Sequence, residues 1–189
     1  MANKTRIWYP KVMYHIITRG NNKQKIFYEE FDYNVYLNLL NNTLQYYKED
    51  NYEVISYCLM PNHVHLFIKT DTKSISYFMR RLSSMYALYF NNKYNNIGHL
   101  FQGKFYDNLI TNDIEMLVVS KYIHLNPVKA KMVKLPQQYK WSSYKQIIEN
   151  GKCDFSTNKL ILDSLMIYRS LEKGNILNEY KKYVEEYYQ

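Results

Sequence analysis

An α+β domain with the element order β-α-β-β-α-β, followed by a further helix, is what the periodicity of this chain predicts. Three observations carry that expectation. Four short runs are rich in β-branched and aromatic residues, and two long stretches repeat apolar side chains every 3.6 residues. The second and third short runs are separated only by a Pro-Asn joint, which has room for a hairpin and nothing larger.

Taken in order, the segment Val12-Met-Tyr-His-Ile-Ile-Thr18 reads as a strand that stops at the turn cluster Arg19-Gly20-Asn21-Asn22. Tyr33, Tyr36, Leu37, Leu40, Leu44 and Tyr47 then form an amphipathic helical stripe. Val54 to Leu59 and His63 to Lys69 make the hairpin across Met60-Pro61-Asn62. Ile75, Phe78, Met79, Leu82, Met85, Tyr86 and Tyr89 mark a second helix with Ser74 as its N-cap, ending before a polar loop at 91–98. Phe105 to Ile110 predicts a fourth strand and 112–125 a third helix. This order is the split arrangement of ferredoxin-like domains, a topology that hosts many unrelated functions. Beyond Pro127 the chain reads as subsidiary helix, with Ser142 capping a segment that Gly151 stops. The expected division is 1–130 for the ferredoxin-like domain and 131–189 for a helical C-terminal extension of the same unit.

Composition narrows the class of function. Of 189 residues, 25 are Lys or Arg and 17 are Asp or Glu, so the net charge is +8, which favours phosphate polymers as partners. Hydrophobic residues reach 47%, enough for a packed core and against wholesale disorder. No apolar run approaches a membrane span and the N-terminal residues lack a signal-peptide core, so the expectation is a cytoplasmic protein with no membrane partner. Cys58 and Cys153 lie far apart without metal-site spacing and read as buried small side chains. The 22 tyrosines are compatible with a base-stacking surface, but AT-rich codons produce the same Tyr, Asn, Lys and Ile excess.

Two constellations could do chemistry. In Pro61-Asn-His-Val-His-Leu-Phe-Ile68 strand alternation puts His63 and His65 on one face and Val64, Leu66 and Ile68 on the other. If the aliphatic face packs on the helices, two imidazoles look out from the opposite side, where they could ligate one divalent cation or simply be hydrogen-bonded. In Lys121-Tyr-Ile-His-Leu-Asn-Pro127, helical geometry aligns Tyr122 with Asn126 and turns His124 about 200 degrees away from Tyr122. A tyrosine hydroxyl can serve as a covalent nucleophile. Asn126 before Pro127 also reads as the N-cap of a new helix.

The blocks Tyr57-Cys-Leu-Met-Pro-Asn-His-Val-His-Leu66, Gly98-His-Leu-Phe-Gln-Gly-Lys-Phe105, Tyr122-Ile-His-Leu-Asn-Pro-Val128 and Trp141-Ser-Ser-Tyr144, with Arg19-Gly20-Asn21 ahead of them, resemble the recurring motifs of the single-tyrosine HUH transposases. The resemblance is to the REP-associated tyrosine transposase branch and its insertion-sequence relatives, and it spans roughly residues 10 to 145. It implies a nuclease domain that cuts and rejoins single-stranded DNA beside a hairpin through a 5′-phosphotyrosine, with Tyr122 as nucleophile. It further implies His63, His65 and Asn126 as ligands of Mg²⁺ or Mn²⁺, although some relatives carry Gln at the last position. Arg19, Asn21, Lys23, Arg80, Arg81 and Lys104 are candidates for DNA contacts, His15 and His99 are either DNA-facing or structural, and His124 is the rival of Asn126 as third ligand, disfavoured by its helical phase. A homodimer with the tyrosine helix placed in cis or in trans is compatible with the resemblance. The rival readings are a domesticated hairpin-binding protein without catalysis and a metal-dependent phosphodiesterase that uses water.

Overall fold

The computed structural model describes residues 8–150 and 176–186. Strands β1 (Met13–Arg19), β2 (Glu53–Met60), β3 (His63–Lys69) and β4 (Tyr106–Ile110) form one antiparallel sheet in the order β2-β3-β1-β4. Helices α1 (Glu30–Tyr46) and α2 (Ile75–Tyr94) follow β1 and β3, as the split topology requires. Helix α3 (Asp113–Lys129) follows β4, and α4 (Tyr144–Asn150) and α5 (Ile176–Glu185) complete the described chain.

Alternation sorts the sheet's two faces. Tyr14 and Ile16 of β1 and Val64, Leu66 and Ile68 of β3 are buried on the face that carries the apolar stripes of α1 and α2. His15 and Ile17 lie on the opposite face with His63, His65 and Phe67, and there α3 packs over β2 and β3. The sheet is therefore covered on both sides, and the histidine side is the one that α3 shares.

Two boundaries differ from expectation, each for a physical reason. Helix α2 continues through 91–94 instead of opening into a loop, because Lys93 and Tyr94 are anchored. Both donate to Asp32 at the start of α1, at 2.7 and 2.8 Å, beside the Tyr89 hydroxyl at 2.7 Å and the Tyr28 and Glu29 amides. Burial alone would raise the Asp32 carboxyl, but these donors hold it down at about 2. Asn95 in the left-handed region then ends α2. Helix α3 runs through Pro127 to Lys129, so Asn126 is not the N-cap of a new helix. Proline removes the amide that would have bonded the Ile123 carbonyl. Asn126 Nδ2 reaches back to the carbonyls of Tyr122 and Ile123, at 2.8 and 3.5 Å, which keeps that turn satisfied. The predicted caps Ser74 and Ser142 do accept amide bonds, from Ser76 and Tyr144. Gly151 and Cys153 lie outside the described residues, whereas Cys58 is buried as expected.

The Trp141-Ser-Ser-Tyr block has a structural use. It runs along the outer edge of β2: Leu59 N donates to the Trp141 carbonyl, Ser143 N to the Tyr57 carbonyl, and Tyr57 N to Ser143 Oγ. Trp141 stacks on Tyr33 with ring centroids 4.4 Å apart. Tyrosine serves both core and surface: Tyr36, Tyr86, Tyr144 and Tyr180 are among the most deeply buried side chains, whereas Tyr28, Tyr46 and Tyr106 are exposed.

His124 is a core histidine that ties three helices together. Its Nε2 pairs with Ser143 Oγ at 3.1 Å and its Nδ1 with the Tyr180 hydroxyl at 2.9 Å, which itself donates to Ser120 Oγ. Burial lowers this imidazole to about 3 from its ordinary 6.5. The unfolded chain binds the proton near 6.5 and the native one does not, so the stability associated with neutral His124 is intact above that pH. It is lost as pH falls through the window from 6.5 towards 3. Thermal melts between about pH 7.5 and about pH 4.5 are expected to show a falling midpoint, with a shallower slope in His124→Gln.

Candidate active site

The site forms where the exposed flank of α3 meets the histidine face of β1 and β3. Helical phase places Met116, Leu117, Ser120, Ile123 and His124 in the core, leaving Tyr122 at the flank with 39% exposure. The Tyr122 ring stands edge-on to His65 and to His15, with centroids 5.6 and 5.8 Å apart. Lys129, two turns along α3, places its Nζ 5.0 Å from the same ring centroid. The rings of His63 and His65 are 4.9 Å apart and nearly perpendicular. Phenol and imidazoles thus meet within one chain.

Hydrogen bonds decide which ring nitrogens are available. His63 Nδ1 lies 2.6 Å from Asn62 Oδ1, and Asn62 Nδ2 donates to the Lys23 carbonyl, which fixes the amide with its oxygen towards the ring. His63 therefore donates from Nδ1 and keeps its lone pair on Nε2. His65 Nδ1 is 2.9 Å from His15 Nε2, while His65 Nε2 is buried with no hydrogen-bond partner among the described residues. An orphaned buried ring nitrogen beside the Nε2 lone pair of His63 suits a divalent cation. The Asn126 bonds use Nδ2 only, so Oδ1 is the atom able to ligate. Burial, with Arg19 adding to it, lowers His63 to about 4, and burial with His63 and His15 lowers His65 to about 2. Both are neutral at physiological pH, the state a metal ligand needs. His124 faces the core and does not join them, in keeping with its helical phase.

Four of the six candidate DNA contacts gather beside this site. Arg19 pairs with His63 across the β1–β3 ladder. The loop after it is fastened to the 98–104 segment, since Asn21 N donates to the Leu100 carbonyl and Gln102 N to the Arg19 carbonyl. Arg19, Asn21, Lys23, His99 and Lys104 are all exposed there. Arg80 and Arg81 are not part of this surface. They belong to α2 on the other side of the sheet, where Arg80 lies over Tyr77 and Arg81 over Tyr46 at 3.8 Å.

Gly20 governs the loop by its size. Its φ of −61 is ordinary, but an added Cβ would sit 2.2 Å from the Gln24 carbonyl oxygen and 2.9 Å from Ile26 Cγ2. Gly20→Ala should cost about 1–3 kcal/mol in denaturant unfolding and displace the basic loop.

His15 is the functional-site residue that sequence reasoning left undecided. Its signal lies in the pairing register: Ile17 opposes His65, so His15 is the diagonal neighbour on the same face.

A four-stranded antiparallel sheet with paired imidazoles under a tyrosine-bearing helix defines the class to which this chain is assigned. Residues 9–126 match the IS200-like transposase family, a span that takes in His15, His63, His65, Tyr122 and Asn126, and the chain belongs to that family. Among its relatives is a REP-associated tyrosine transposase of Haemophilus influenzae, 27% identical over 104 residues. That match covers 49% of this chain and 58% of the relative, so the chain spans less than two thirds of that protein's length. A solved REP-associated tyrosine transposase bound to a REP hairpin superposes with a TM-score of 0.66 at 17% identity, covering 80% of this chain and 87% of that one, and shares the fold. A transposase structure from Deinococcus radiodurans covers 62% of this chain and 92% of its own with a TM-score of 0.44 at 17% identity. No helix among the described residues is long and apolar enough to cross a membrane.

Proposed function

We propose that this protein is a transposase that cleaves and rejoins single-stranded DNA beside a hairpin through a covalent 5′-phosphotyrosine at Tyr122. The observation that supports it best is the edge-on placement of the Tyr122 ring against His65, within the same chain and open to solvent. Mg²⁺ or Mn²⁺, held by Nε2 of His63 and of His65 with Asn126 Oδ1, would withdraw charge from the scissile phosphate and fix it for in-line attack. Tyr122 Oη forms the bond to phosphorus, and the bond to the 3′ oxygen breaks, so a free 3′-hydroxyl leaves. The ester on Tyr122 retains the energy of the broken phosphodiester. A second 3′-hydroxyl can therefore displace the tyrosine and join a new strand without a nucleotide cofactor.

Arg19, Asn21, Lys23 and Lys104 would guide the backbone towards His63, as exposed cations and amides do for phosphate. The distant Arg80 and Arg81 could meet only a segment of DNA that wraps past the sheet. Incubation with a labelled single-stranded hairpin and Mg²⁺ tests the reading. A denaturant-resistant protein–DNA adduct supports it. Tight binding without any adduct would instead identify a hairpin-binding protein that has lost strand transfer.

A further inference from the structure

We infer that His15 is a positioning residue for the metal centre: it accepts the Nδ1 proton of His65 and so presents the His65 Nε2 lone pair to the ion. The inference rests on the metal-centre reading of His63 and His65 given above and extends it to a residue on another strand. His15 Nε2 and His65 Nδ1 are 2.9 Å apart, and the rings stack with centroids 5.2 Å apart and planes 21° from parallel. His15 is 7% exposed and His65 2%, so water offers neither a ready substitute.

A contact of that length holds one proton, in one of two arrangements. If His15 donated, neutral His65 would carry its other proton on Nε2, leaving a buried N–H without an acceptor and no lone pair for a cation. If His65 donates, Nε2 is a bare acceptor, and a cation satisfies it. The second arrangement matches the neighbouring ligand, where Asn62 Oδ1 accepts from His63 Nδ1. Each imidazole then has an acceptor behind it, Asn62 from the hairpin turn and His15 from β1. His15 is not itself a third ligand, because its Nε2 is taken up by His65. Among the described residues, moreover, no group of three His, Cys, Asp or Glu side chains converges to hold an ion.

The test reads ring protonation and metal uptake on the full chain without DNA. Long-range ¹H–¹⁵N spectra should show the Nδ1–H form of His65 in the unmodified protein. Mn²⁺ titration, followed by the paramagnetic resonance of the free ion, should weaken about 10- to 100-fold in His15→Phe, which keeps a ring in the stack but accepts no proton. His15→Gln, whose side-chain oxygen reaches roughly where Nε2 sits, should recover most of the loss. An Nε2–H form of His65 in the unmodified protein overturns the inference without recourse to any variant. So does Mn²⁺ affinity in His15→Phe equal to that of the parent when His65→Ala has lost it. If the parent takes up no Mn²⁺ through His63 and His65, the metal centre itself fails and this role goes with it.

Discussion

Tyr122→Phe should leave the protein folded and bound to a hairpin oligonucleotide yet unable to form a covalent adduct. The ring contributes its edge contacts to His15 and His65 whether or not it carries a hydroxyl, and at 39% exposure the position tolerates the change with little loss of stability. What disappears is the only atom proposed to attack phosphorus. Loss of a covalent nucleophile leaves whatever rate binding and charge stabilisation provide, so strand cleavage should fall on the order of 10³-fold or more. A denaturing gel with strands labelled at either end checks both the adduct and the cut. If cleavage persists in Tyr122→Phe with no adduct, water is the nucleophile and the protein is a metal-dependent phosphodiesterase.

The second large effect is expected at the imidazoles. His63→Ala should abolish dependence on Mg²⁺ or Mn²⁺ and lower cleavage roughly 10²- to 10⁴-fold, the consequence of losing several kcal/mol of charge stabilisation at the phosphate. His63 is half-buried, so its truncation perturbs packing less than that of His65, which is 2% exposed and would leave His15 without its partner. His65→Ala should therefore lose metal response and some stability together, and melting curves separate the two. Mixing Tyr122→Phe with His63→Ala gives a further readout. The phenol and the rings converge within one chain, so the mixture should remain inactive; restored cleavage would show that tyrosine helices are exchanged between copies.

Much of this was legible in the residues alone. Alternation along β3 separated His63 and His65 from Val64, Leu66 and Ile68, because the backbone repeat of a strand fixes which side chains share a face. Helical phase separated Tyr122 and Asn126 from His124 for the same reason on α3, and the structure places His124 in the core. The two boundary errors have different origins, one a distant partner and one an ambiguous local signal. Nothing near residue 93 announces that α2 continues, since the reason is Asp32, some sixty positions earlier. The Asn-Pro pair has the local signature of a helix start, and only an intact helix on both sides turns its amide back onto Tyr122 and Ile123.

By itself the sequence determined the order of elements and the two faces of the sheet, because periodicity is a local property, and its motifs offered Tyr122, His63, His65 and Asn126 as candidates for nucleophile and ligands. Tertiary structure decided which of those residues meet. Strand register is set by the whole hydrophobic pattern and not by any one residue, and it was register that brought His15 behind His65. Packing of α3 on the histidine side set the Tyr122 ring against the imidazoles, and packing of α1 and α2 on the reverse carried Arg80 and Arg81 away from them.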